Sequence, residues 1–176
     1  MHETVKNLIN IQKCIKSKLI DLKQNSRIPK IIAVSKTFKI DHIMPLIKYG
    51  HLDFGENKVQ EAIDKWSEIK SKNNEIKIHL IGKLQTNKVK LAVKFFDFIH
   101  SLDNEKLAKK ISEEQNKQNL KPKIFIQVNI GNEEQKSGIN KKNLNEFHIF
   151  CKSLDLNIIG TMCLPPFDEN PKKYFI

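Results

Sequence analysis

The chain has 176 residues and a mass of 20.5 kDa, with 39% hydrophobic and 29% charged residues. That length suits one domain with a sizeable core, and that composition excludes a disordered chain. The formal net charge is +11, yet Arg27 is the single arginine and the lysines are scattered, so the charge reads as compositional drift toward Lys, Ile and Asn, with a nucleic-acid partner set aside.

The chain opens with a helix. Val5, Leu8, Ile9, Ile15, Leu19 and Leu22 recur at three- and four-residue steps and stop at the polar Gln24-Asn25-Ser26. IIAVS (31–35) is a short β-branched run that reads as a buried parallel strand. Asp41 is expected to cap a helix with Pro45 in its first turn and Gly50 as its stop. HLDFG (51–55) is the second strand, and residues 57–70 form a helix with Val59, Ala62, Ile63, Trp66 and Ile69 on one face. Strands are expected at 76–81, 96–102, 123–130 and 156–164, and helices near 88–94, 104–118 and 141–153. Six strands alternating with helices define an α/β protein with a parallel sheet, either open and doubly wound or a (β/α)8 barrel. A closed barrel is typically about 250 residues, so a barrel reading leaves two strands missing.

Lys36 follows the first strand directly. A period of two places Ile32, Val34 and Lys36 on one face. On a barrel interior that lysine sits at the carboxyl end, where desolvation makes an amine nucleophilic toward an aldehyde. The alternative is a strand-end lysine reaching to water. Asn57, with Gln60 three residues on, has the pattern of an N-cap and capping box, and it also suits a ligand-facing position at a helix start. His79 reads as a core histidine or a site residue, and Met162 as core or pocket wall. GNEEQKSG (131–138) fails the P-loop pattern, because position 136 is Lys136 rather than glycine. The six histidines show no metal-ligand spacing. Cys14, Cys151 and Cys163 form no CxxC pair, which favours a reducing cytoplasm. No secretory signal and no membrane-length apolar run is legible.

Taken in order, IIAVSKT (31–37), FGENKVQE (54–61), HLIGKLQTNK (79–88), QVNI with QKSG (127–138) and IIGTMCLP (158–165) resemble the YggS/PROSC family of pyridoxal-5′-phosphate (PLP)-binding proteins. The resemblance covers nearly the whole chain. It implies one alanine-racemase-like domain over 1–176, a (β/α)8 barrel of PLP fold type III with about six of eight strands present. It implies that Lys36 holds PLP as an internal Schiff base and that Asn57 and Met162 line the pocket. Val34 and His79 join the candidate cofactor-binding residues, and Lys136 is a secondary PLP contact. The function implied is PLP homeostasis without turnover, in the cytoplasm, by a monomer that hands PLP to apo-enzymes. Family members continue with Ser-x-Gly-Met-Ser and Val-Arg-Ile-Gly segments that hold the cofactor phosphate and approach its ring. This chain ends before both, so a truncated product with weakened PLP binding and exposed sheet edges is expected. A racemase-like enzyme, a nucleic-acid-binding protein and a non-functional remnant are the alternatives.

Overall fold

A computed structural model describes residues 1–23, 28–131, 133, 137–167 and 170–174. The expected alternation is present: α1 (Glu3–Asp21), β1 (Ala33–Val34), α2 (Ile40–Lys48), β2 (Asp53–Glu56), α3 (Val59–Lys72), β3 (Lys77–Leu80), α4 (Val89–Phe95), β4 (Phe98–Leu102), α5 (Glu105–Gln118), β5 (Lys123–Asn129), β6 (Ile139–Asn140), α6 (Leu144–Ser153) and β7 (Ile158–Met162). Every strand pairing is parallel. The sheet runs in chain order from β1 to β5, and β5 then pairs with β7 along most of its length and with β6 at its end. Among the described residues β1 pairs only with β2 and β7 only with β5, so the barrel is not closed.

Three local expectations are corrected. The two-residue strand β6 is additional, because so short a pairing leaves no periodicity to read. Asp41 lies in the first turn of α2, whose N-cap is Lys39, and Pro45 lies inside the helix beyond that turn. Gly50 does end α2: its φ is +94°, its N–H donates to the Ile47 carbonyl, and the His51 N–H donates to that of Leu46. That paired closure needs the left-handed conformation glycine adopts freely. The polar stretch 24–26 lies outside the described residues. Among those described, no helix is long and apolar enough to cross a membrane.

The period of two divides the sheet into two faces. Phe54, Ile78, Leu80, Ile99, Ile124 and Ile126 face outward and are buried against the apolar stripes of the helices, including Val59, Ala62 and Trp66 of α3 and Leu107 and Ile111 of α5. This layer is the core. Cys151 lies in it, and burial, with a contribution from the Glu105 carboxylate, pushes its thiol up to about 11.

The other face is the barrel interior, and it is partly polar. Asp53 Oδ1 accepts from His79 Nε2 at 3.0 Å, and His79 Nδ1 lies 3.0 Å from His100 Nε2. His79 stacks on Phe98 and His100 on Phe125, with ring centroids 4.1 and 4.3 Å apart. A Cβ at Gly160 of β7 would stand 3.3 Å from the Phe125 ring, so the wall continues to that strand. Burial lowers both histidine pKa values; the Asp53 carboxylate opposes this for His79, whereas His100 falls to about 4. A histidine whose folded pKa lies below its unfolded value of about 6.5 binds its proton more readily in the unfolded chain, so stability falls as pH drops through that window. We predict that the chain loses about 2 kcal/mol of stability between about pH 7 and pH 5 through His100. His100→Gln should flatten that part of the curve in thermal unfolding across pH. An unchanged slope in the variant would contradict the prediction.

Candidate functional site

The candidate residues gather at the carboxyl ends of the strands. β1 runs into Ser35 and Lys36, β2 into Asn57, and β7 ends at Met162. Val34 is 49% exposed on the interior face, whereas Ser35 turns to the helix side and is buried. The alternation expected from the sequence is therefore present through this strand. Lys36 is exposed, so the desolvated setting expected of a closed interior is absent there. No hydrogen bond or ion pair involving its ammonium is found among the described residues.

Ser35 is anchored by a buried carboxylate. Glu56, 1% exposed, accepts at one oxygen from Ser35 Oγ (2.8 Å), Lys65 Nζ (3.0 Å) and Trp66 Nε1 (2.9 Å). Lys65 Nζ also donates to the Ser35 carbonyl at 2.9 Å, and the Ser35 N–H donates to the Gly55 carbonyl. One charged group thus ties the end of β1, the end of β2 and the second turn of α3 together, one residue before Lys36. Sequence reasoning passed over Glu56. Its partners lie at positions 35, 65 and 66, and only the parallel pairing of β1 with β2 brings them together.

Asn57 is not the N-cap. Gly55 and Glu56 pair with His79 and Leu80, the chain bends at Asn57, and α3 starts at Val59 with the extended Lys58 as its cap. Gln60 donates to Asp64 instead of closing a capping box. Asn57 is half-buried, and its amide takes part in no hydrogen bond found among the described residues. The chain after β3 presses against it: a Cβ at Gly82 would fall 2.2 Å from the Asn57 carbonyl oxygen and 2.7 Å from its Cα. Only glycine fits there, so Gly82 fixes where the Asn57 backbone sits.

His79 has both ring nitrogens engaged and is 2% exposed, which is the arrangement of a satisfied core histidine. It supports the interior wall and has no nitrogen left for a ligand. Met162 pairs in register with Gln127 and is half-buried, on the same face as Gly160. Lys136 lies outside the described residues. Nearby, the Asn129 amide donates to the Glu133 carbonyl at 2.8 Å, and Gln127 donates to that of Ser137 at 3.0 Å, which fold the loop after β5 back on the strand. Among the described residues no group of three acidic, histidine or cysteine side chains converges to hold a metal. The carboxyl ends thus present a primary amine, an uncommitted amide and a thioether, a set suited to an aldehyde on an aromatic ring.

The alanine racemase N-terminal domain family matches residues 12–175. The chain is 38% identical over 169 residues to the pyridoxal phosphate homeostasis protein of Buchnera aphidicola subsp. Schizaphis graminum, covering 93% of this chain and 73% of that one. This chain belongs to the pyridoxal phosphate homeostasis protein family. The relative from Aquifex aeolicus is 37% identical over 144 residues, 81% of this chain and 62% of its own length. PipY of Synechococcus elongatus, solved with PLP bound, superposes with a TM-score of 0.73 at 31% identity, covering 90% of this chain and 74% of that one. The alanine racemase of Clostridium difficile matches with a TM-score of 0.65 at 18% identity, which shows the shared fold alone. The chain is therefore shorter than its relatives.

The Glu56 cluster generates a prediction. Glu56→Gln leaves Lys65, with a side chain only 15% exposed, without its carboxylate. Breaking one side of a buried ion pair costs about 3 kcal/mol or more. Urea unfolding should show a loss of that order. A loss near zero would mean that the cluster does not hold the strand ends.

Proposed function

We propose that this chain is a pyridoxal 5′-phosphate-binding protein of PLP homeostasis and that it holds PLP as a Schiff base on Lys36. The observation that carries the reading is the Lys36 amine, exposed at the carboxyl end of β1 and anchored through Ser35, at the same end as the half-buried Asn57 amide. Lys36 would supply the amine that holds the cofactor at its aldehyde carbon. When bound, PLP supplies an electrophilic aldehyde and an electron-withdrawing ring. Asn57 offers its amide to the ring substituents, while Met162 and Val34 offer apolar surface to the ring. Lys136 is a secondary contact in this reading, and His79 supports the wall beneath.

The activity proposed is binding and release, without racemase turnover. The partners are PLP itself and PLP-dependent apo-enzymes that receive it, and the working form is a monomer. A cytoplasmic setting is supported by three free thiols, Cys14, Cys151 and Cys163. In a titration followed by the visible imine band, we expect saturable PLP binding and its loss in Lys36→Ala. An undiminished band in Lys36→Ala would overturn the assignment.

A further inference from the structure

The amino ends of the strands form a cleft, at the opposite end of the sheet from Lys36. Lys30, Lys70, Lys77, Lys94, Lys121 and Lys123 line it, in a volume of about 420 Å³, with Asp97 as the carboxylate of the lining. Lys77 and Lys123 are the first residues of β3 and β5, Asp97 directly precedes β4, and Lys70 and Lys94 lie in the last turns of α3 and α4. Parallel pairing therefore brings these lysines to one rim.

The cleft is short of negative charge. Asp97 Oδ2 already accepts from Lys70 Nζ at 2.7 Å and from the Ile78 N–H at 2.9 Å, while Oδ1 lies 3.6 Å from Lys77. Lys30 pairs with Asp53, and Lys121 pairs with Asp155. Lys94 and Lys123 have no carboxylate within 4 Å among the described residues. Lys123 Nζ instead stands over the Phe98 ring, 5.2 Å from its centroid. Six ammonium groups thus meet three carboxylates. Like charges in a concave, partly apolar site repel one another and focus a positive potential. An anion of three or more charges relieves that repulsion, whereas a single phosphate leaves part of it.

We propose that this cleft binds an oligophosphate, either free or as the phosphate chain of a nucleotide. Lys94 and Lys123 are its donors without a carboxylate partner among the described residues. Lys77 and Lys30, the latter exposed, extend the rim on either side.

The test is calorimetric titration of the full chain at low salt with sodium tripolyphosphate, with ATP and orthophosphate as separate arms. It is repeated on the double variant Lys94→Gln/Lys123→Gln and on the control Lys6→Gln/Lys13→Gln, which removes the same charge from exposed positions of α1. The expected result is one saturable tripolyphosphate site that is tighter than orthophosphate. It weakens about ten- to a hundredfold in the cleft variant and stays near wild type in the control. Lys36→Ala should titrate as wild type, which separates this site from PLP binding. Equal affinities for ATP and tripolyphosphate assign recognition to the phosphate chain, and tighter ATP assigns it to a nucleotide. Absence of saturable binding, or equal weakening in both double variants, would overturn the proposal.

Discussion

The buried Glu56 carboxylate is the constraint on which the candidate site depends. A parallel sheet fixes the direction of its strands but leaves their carboxyl ends to loops, which are free to wander. Here one oxygen of a β2 residue gathers a hydroxyl from the end of β1 and an ammonium and an indole N–H from α3. A carboxylate in so dry a place is tolerated only when it is paired and hydrogen-bonded, and this one is both. The outcome is a strand end held one residue short of Lys36, with the lysine itself left exposed. Rigidity sits in the support, and the exposed lysine stands just beyond it.

The two faces of the sheet divide the remaining work. The outer face carries the aliphatic side chains that drive folding by burial against the helices. The interior face carries Asp53, His79 and His100, joined by hydrogen bonds and sandwiched by Phe98 and Phe125. Such a wall keeps its polar groups satisfied internally, so they do not compete with the carboxyl-end groups for a ligand. The lysines at the amino ends form a third region, where charge rather than packing sets the character of the surface.

Most of the fold was legible, because Ile, Val and Leu recur with a clear period in every helix and in the longer strands. KIFIQVNI announces β5 by strict alternation, and the outward aliphatic positions there are buried as that alternation requires. The family signature singled out Lys36, Asn57 and Met162, and the structure has each of them at or just past the carboxyl end of a strand. The sequence misled at Asn57, since its spacing to Gln60 imitates a capping box while the chain bends at Asn57 and the extended Lys58 takes the cap. Glu56 stayed hidden because its partners are distant in sequence. His100 was legible in principle: FDFIHSL alternates, so Phe98 and His100 share the face opposite Ile99. What local pattern could not supply was the pairing of that face with His79 and Asp53, which arises only when three strands align in register.

The central claim is that Lys36, among thirty lysines, is the residue that holds PLP. The most direct measurement is reduction of the PLP-loaded chain with borohydride at low PLP, followed by peptide mass spectrometry of the pyridoxyl adduct, with Lys36→Ala beside it. This account predicts one dominant adduct on Lys36 that disappears in the variant. Diffuse labelling over many lysines, unchanged in Lys36→Ala, would contradict it.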